Sequence, residues 1–133
     1  MGSLSQVRSN QILDAINGVA ALPATVTPLR SRLMTANGTA AANGTELAAA
    51  QGYAAGAAAP TFTMAAAATG SAASSSAVTI TNMPACTLNG IEIWDSAATP
   101  IRQQWGALTG APKTVNSGDT LTIASGSITT AFP

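Results

Sequence analysis

The chain has no histidine, a single cysteine and few charged side chains. Only 8% of its 133 residues are charged, whereas soluble domains average about 25%. Five basic residues balance five acidic ones, so the formal net charge is +0 and no basic surplus could neutralise nucleic-acid phosphates. Without histidine, most zinc, haem and Ser-His-Asp arrangements are excluded. We therefore expect no enzyme activity, no metal, no cofactor and no nucleic-acid partner.

Charge is also absent from the whole stretch 47–91, which raises the question of a membrane span. Pro60 interrupts this stretch, and its Ala, Ser, Thr and Gly residues are not apolar enough to cross a bilayer. Arg8 and Asp14 break any secretory signal in the first twenty residues. Since weakly charged, small-residue surfaces cost little to desolvate, they favour a structural assembly protein over an enzyme acting on a small-molecule substrate.

An N-terminal helix is predicted over residues 3–17. Ser3 and Gln6 match a capping box, and Asn17 with Gly18 forms a typical C-terminal stop. Apolar residues of this segment fall near one helical face: Val7, Ile12, Ile16 and Val19. This face could pack on the chain's own strands, on a neighbouring subunit or on a viral shell, and we predict an assembly contact.

Short stretches of alternating apolar and polar residues follow the helix. They lie at 28–34, 61–64, 78–81, 88–94, 102–108, 120–124 and 127–130. Asn-Gly pairs at 37–38 and 43–44 predict turns with positive φ. The Ala-rich region 46–77 contains too many Gly, Pro and Ser residues for a good helix, so we predict extended structure with loose connections. Together these features indicate an antiparallel sandwich or barrel.

Two arginines and two tryptophans are the candidate interface residues of the strands. Arg30 and Arg32 share the polar face of the first long strand, where we expect them to be solvated or paired with carboxylates; phosphate contact is the alternative. Trp94 and Trp105 lie on or near strands, and each could belong either to the core or to an interface.

The remaining polar candidates carry no catalytic chemistry. Glu92 and Asp95 point to opposite faces of a strand, so they make a poor acid–base pair; we predict ordinary surface or interface polarity, with Asp95 capping a turn. Cys86 has no neighbouring base to lower its pKa, which predicts a small buried apolar residue rather than a reactive thiol.

Three C-terminal motifs carry a family resemblance: GIEIWDS at 90–96, WGAL at 105–108 and GDTLTIASGSI at 118–128. With RLMTANG at 32–38 in the N-terminal half, they resemble a family of small virion structural proteins common among tailed phages of actinobacteria. Its members are described as minor capsid or head-decoration proteins and as minor tail or tail-fibre-like proteins. The resemblance implies a β-sandwich with a helical N-terminal element, often assembled as trimers.

We therefore predict a mainly β fold: an antiparallel, jelly-roll-like β-sandwich at 23–133 behind an N-terminal helix or arm at 1–22. The leading hypothesis is a homotrimeric decoration protein that binds the major capsid protein on the capsid exterior and stabilises the shell. The alternative is a minor tail or tail-fibre protein that contacts the host surface. The predicted interface residues are Val7, Ile12, Ile16, Val19, Arg30, Arg32, Trp94 and Trp105.

Overall fold

The computed structural model describes residues 2–131, which form one α-helix, one 3₁₀ turn and twelve short strands. The helix α1 is Gln6–Ile16, and the 3₁₀ turn is Gly56–Ala58. In chain order the strands are β1 (Ser3–Leu4), β2 (Leu29–Ala36), β3 (Thr45–Glu46), β4 (Thr61–Phe62), β5 (Ser71–Ala73), β6 (Val78–Ile80), β7 (Cys86–Leu88), β8 (Gly90–Trp94), β9 (Arg102–Ala107), β10 (Lys113–Val115), β11 (Leu121–Ile123) and β12 (Thr129–Ala131). The predicted mainly β class with an N-terminal helix is confirmed.

Six strands build the main sheet, in the order β1-β9-β8-β2-β3, with β4 also pairing to β2. All of these pairs are antiparallel. In β2, the alternation predicted from the sequence puts Ser31 and Leu33 on the buried side and leaves Arg30 and Arg32 half-buried on the other. The main sheet therefore has one apolar inner face and one polar outer face.

The second layer consists of three two-stranded antiparallel ribbons: β7 with β10, β6 with β11, and β5 with β12. Two ribbons, β7 with β10 and β6 with β11, contribute buried apolar side chains to a single core with the inner face of the main sheet, and Ile128 joins this core from the position directly before β12. The core residues are Leu33, Leu47, Tyr53, Phe62, Val78, Ile80, Met83, Leu88, Ile93, Val115 and Ile128. The arrangement is sandwich-like, because side chains from two layers interdigitate, although the second layer is divided into ribbons.

The N-cap of helix α1 lies two residues later than the sequence predicts. Ser5 is the N-cap, and its Oγ accepts a hydrogen bond from the backbone N of Arg8 at 3.3 Å. The capping box of Ser3 with Gln6 is wrong, because Ser3 pairs with Trp105 in the main sheet instead. The predicted stop is confirmed: α1 ends at Ile16, and Gly18 takes a positive φ of 71° that glycine adopts without strain.

The predicted single strand at 88–94 is two strands of different layers. Asn89 separates β7, which pairs with β10, from β8, which lies between β2 and β9. At this crossing the Asn89 side chain donates to the carbonyl of Thr35 at 2.6 Å and its backbone N donates to that of Met34 at 2.9 Å. The break leaves a signal in the alternation that the prediction overlooked, because Leu88 and Ile91 are three positions apart and the apolar phase therefore shifts at Asn89 and Gly90.

The two Asn-Gly pairs lie in the loop between β2 and β3, but they do not form the predicted turns with positive φ. Neither Gly38 nor Gly44 has a positive φ. Instead the loop folds tightly on itself, and a Cβ atom at Gly44 would collide with the carbonyl oxygen of Ala36. Glycine is required there for close backbone approach. The region 46–77 is extended apart from the 3₁₀ turn, as predicted.

Candidate functional site

Helix α1 packs on the sheet through its polar side. Arg8 is buried at 5% exposure. Its guanidinium donates to the side chains of Gln103 and Thr25, to Oε1 of Gln11 at 2.9 Å and to the carbonyl of Pro23 at 3.1 Å. Charge-assisted hydrogen bonds, rather than apolar packing on the chain's own strands, therefore hold α1 on the sheet.

The rest of the helix surface and the segment after the helix expose large apolar side chains, which we call the apolar arm. Their exposures range from 44% to 75%. The members are Val7, Leu13, Ile16, Val19, Leu22 and Val26. Ile12, predicted for the same surface, is half-buried. Packing of Val7, Ile16 and Val19 on the chain's own strands, one of the predicted alternatives, does not occur.

The predicted arginines and tryptophans of the strands converge on the outer face of the main sheet. In the sheet register Arg30 lies opposite Trp94, while Glu92 lies between Arg32 and Trp105. The guanidinium carbon of Arg32 is 4.2 Å from the centre of the Trp94 ring, a cation–π contact. Neither tryptophan belongs to the apolar core; both are half-buried on this face.

Each arginine of this face has a protein partner. A nitrogen of the Arg32 guanidinium lies 3.8 Å from a carboxylate oxygen of Glu46, so the predicted pairing with a carboxylate is found. Arg30 donates to the carbonyl of Ala59 at 3.1 Å. Nε of Arg32 and Nε1 of Trp105 are buried N–H groups that meet no acceptor within residues 2–131.

Glu92 is the centre of this face and is only 1% exposed. Its Oε1 lies 2.8 Å from the guanidinium of Arg102, in an ion pair that is almost fully buried. The same oxygen accepts from the backbone N of Gly44 at 2.7 Å, and Oε2 accepts from Nε1 of Trp94 at 3.1 Å. The prediction of ordinary surface polarity for Glu92 is therefore wrong, because Arg102 and the β2–β3 loop cover the carboxylate.

Arg102 is the important residue that sequence reasoning missed. Besides Glu92, its guanidinium donates to three carbonyls of the β2–β3 loop, those of Thr39 at 2.6 Å, Ala40 at 2.9 Å and Ala42 at 2.9 Å. Opposite charges on the neighbouring candidate strands β8 and β9 were the available signal. Both terminal nitrogens of the guanidinium are directed at protein oxygens, which leaves the cation little capacity to bind a ligand.

Asp95 is also buried, at 2% exposure, which corrects the prediction of surface polarity. Its Oδ1 accepts from the backbone N of Ile101 at 2.8 Å, and its Oδ2 accepts from Nε2 of Gln103 at 3.1 Å. The carboxylate thus closes the β8–β9 connection, and the predicted turn-capping role is confirmed. Through Gln103 it is joined to Arg8 of the helix.

A groove of about 360 Å³ lies between the first turn of α1, the β2–β3 loop and the ends of β8 and β9. Gln6, Asn10 and Asn43 line it together with Trp94 and Arg102. Since the Arg102 guanidinium is paired with Glu92 and its terminal nitrogens bind protein oxygens, the groove presents amides, the Trp94 ring and apolar side chains such as Val7 and Ile101 rather than a free charge. This chemistry suits an uncharged polar surface better than an anion.

Burial perturbs the pKa values of two groups in and beside the core. Desolvation raises the pKa of Tyr53 well above its ordinary value of 10.0. The Tyr53 hydroxyl accepts from the backbone N of Leu33 at 3.0 Å and donates to Oε1 of Glu46 at 3.0 Å. Burial also raises the pKa of Cys86, which packs beside the core as the sequence predicts.

Neither a membrane-spanning helix nor a cluster of metal ligands is present in the described part of the chain. No helix between residues 2 and 131 is both long and apolar enough to span a bilayer. Within the same range, no three side chains of His, Cys, Asp or Glu cluster as metal ligands do.

Comparison with known proteins gives one family match, which spans nearly the whole chain. The family model, described as podophage GP4 fiber I protein gp80, matches residues 3–131. The match therefore includes α1, the apolar arm, the main sheet and all three ribbons. Among curated proteins, none matches the chain.

Proposed function

Because the chain belongs to the family of the podophage GP4 fiber I protein gp80, we propose that it is a building block of a phage tail fibre. It is a structural protein of phage particles, and the family description names a fibre. The match thus favours the tail-fibre alternative over the capsid-decoration hypothesis and over the major capsid protein as its partner. The proposed role is architectural rather than enzymatic, and contact with the host surface stays a prediction.

The apolar arm is the proposed assembly surface. In a free monomer it leaves six large apolar side chains in water. Burying them on assembly would be favourable, because each Å² of apolar surface removed from water contributes about 25 cal/mol. The arm is also nearly free of charge, with Asp14 the single ionisable side chain between residues 9 and 29. Assembly through it would desolvate few charges. A homotrimer that brings together three copies of α1 is the proposed oligomer.

The position in the particle is tested by labelling intact phage with antibodies raised against this chain. Electron microscopy of the labelled particles should show gold particles on the tail fibres and none on the capsid faces. Label distributed over the capsid would instead contradict the tail-fibre proposal and support the capsid-decoration hypothesis.

The assembly surface is tested with the double variant Ile16→Asp with Val19→Asp. These side chains are 75% and 73% exposed, so the exchange should leave the fold of the subunit intact. We expect light scattering after size-exclusion chromatography to show a monomer and phage particles to lack the variant.

The matched control is Ile16→Leu with Val19→Leu, which keeps the surface apolar and should still assemble. Circular dichroism of both variants checks the fold. An unchanged oligomer in the Asp variant would place the interface elsewhere and contradict this proposal.

A further inference from the structure

The two Asn-Gly pairs of the β2–β3 loop have identical neighbours. Both lie in the tetrapeptide Ala-Asn-Gly-Thr, at 36–39 and at 42–45. In such a pair the glycine nitrogen can attack the asparagine side-chain amide, because no Cβ blocks its approach. With the same flanking residues, the intrinsic reactivity of the two sites is the same, so any difference between them comes from the fold.

The fold treats the two glycine nitrogens differently. The N–H of Gly44 donates to Oε1 of Glu92 at 2.7 Å, inside the buried pair with Arg102. An attack by this nitrogen would break that charge-assisted hydrogen bond and remove a donor from a buried carboxylate. The N–H of Gly38 meets no hydrogen-bond acceptor among residues 2–131. Asn37 and Asn43 are both exposed to solvent, so the hydrogen bond of the glycine nitrogen is what distinguishes the two sites.

We propose that Asn37 is a site of spontaneous deamidation and that Glu92 protects Asn43 from the same reaction. The Gly38 nitrogen loses its proton to solvent base and bonds to Cγ of Asn37. The Cγ–Nδ2 bond then breaks, and ammonia leaves after taking a proton from water. Water next adds to either carbonyl of the resulting succinimide ring and gives an aspartyl or an isoaspartyl residue, so that the net change is hydroxyl for amine.

The modified position lies directly before the carbonyls that hold Arg102. Thr39, Ala40 and Ala42 accept its guanidinium hydrogen bonds. An isoaspartyl linkage adds one methylene to the main chain, and either product adds a negative charge beside the loop. Ageing of the protein would therefore change the β2–β3 loop, and with it one wall of the groove, without any enzyme.

The test follows both sites in one sample of the full chain, held folded in mildly alkaline buffer. Peptide mass spectrometry, with fragment ions that separate position 37 from position 43, gives the two rates. We expect Asn37 to convert at least about tenfold faster than Asn43, since a hydrogen bond to a charged acceptor contributes at least that factor. The Asn37 rate should rise with pH.

The same measurement in concentrated urea is the control. Unfolding removes the Glu92 contact, and the identical flanking residues should then bring the two rates together. The variant Asn37→Gln should remove the fast conversion and leave Asn43 slow in the folded chain. Equal rates in the folded chain, or an Asn37 that converts only after unfolding, would overturn the proposal.

Discussion

Glu92 shows how much a single carboxylate can organise. It receives hydrogen bonds from the β2–β3 loop, from Trp94 and from Arg102. The alternation of GIEIW in β8 predicts that its side chain points away from the apolar core, and this is correct. What alternation could not predict is that a loop more than forty positions earlier in the chain would cover that face. Burial of the outer face depends on tertiary contacts, which leave no local periodicity.

Neutralising Glu92 should be costly. The exchange Glu92→Gln keeps the shape but leaves the charge of Arg102 buried without a partner, and breaking such a pair costs about 3–5 kcal/mol. Urea unfolding at neutral pH measures the loss.

Glu46→Gln is the control, because its ion pair with Arg32 spans 3.8 Å and is more exposed; we expect a loss of about 1 kcal/mol or less. Equal losses in the two variants would mean that burial of the Glu92 pair adds nothing.

Tyr53 should make the fold sensitive to alkali. Burial raises its pKa above the ordinary 10.0, so the folded chain keeps the phenol proton at pH values where the unfolded chain loses it. The stabilisation is complete below about pH 10, and above it the free energy of unfolding should fall by about 1.4 kcal/mol per pH unit. Urea unfolding at several pH values measures this slope.

Tyr53 is the chain's one tyrosine, so tyrosinate absorbance during unfolding follows this residue alone. Tyr53→Phe should lose the Tyr53 contribution to the slope while costing about 1–3 kcal/mol at neutral pH, since the backbone N of Leu33 loses its acceptor. A slope that is the same in Tyr53→Phe would assign the alkaline loss to other groups.

At the scale of elements, the sequence pattern of α1 predicts that the helix exists and where it ends, at Asn17 and Gly18, but not which side of it packs on the sheet. The pattern does not give a single apolar stripe, because Val7 and Ile16 are nine positions apart and so lie about 180° from each other around the helix. The sheet presents Gln103 at this position, so the arginine side of α1 docks, while Val7 and Ile16 stay exposed. A polar acceptor on another strand decides the orientation.

The docking of α1 should therefore depend on Arg8. With Arg8→Ala the helix loses its contacts to Gln103, Thr25 and Pro23, and we expect hydrogen exchange in α1 to accelerate while β2 and β8 keep their protection. Exchange followed by mass spectrometry resolves these segments.

The exposed Asp14→Ala on the same helix is the control and should leave exchange unchanged. Slow exchange in α1 of the Arg8→Ala protein would show that other contacts hold the helix.

For the whole molecule, the surface carries even less charge than the composition indicates. Of the ten charged side chains, four are buried and three half-buried, which leaves three exposed. The buried ones are Arg8, Glu92, Asp95 and Arg102; the half-buried ones are Arg30, Arg32 and Glu46; the exposed ones are Asp14, Lys113 and Asp119. Composition predicts a protein suited to association, and the fold strengthens that prediction by leaving only three of the ten charged side chains exposed.

The pairing of β1 with β9 at the edge of the main sheet also determines the order in which parts of the chain can fold. β1 pairs with β9, so Ser3 lies opposite Trp105, and the Ser5 hydroxyl donates to the carbonyl of Arg102 at 2.5 Å. During synthesis β1 and the N-cap must wait until β9 has left the ribosome. Such distant pairings slow folding to about the millisecond-to-second range. The apolar arm is thus made well before the strand that holds the start of its helix in place.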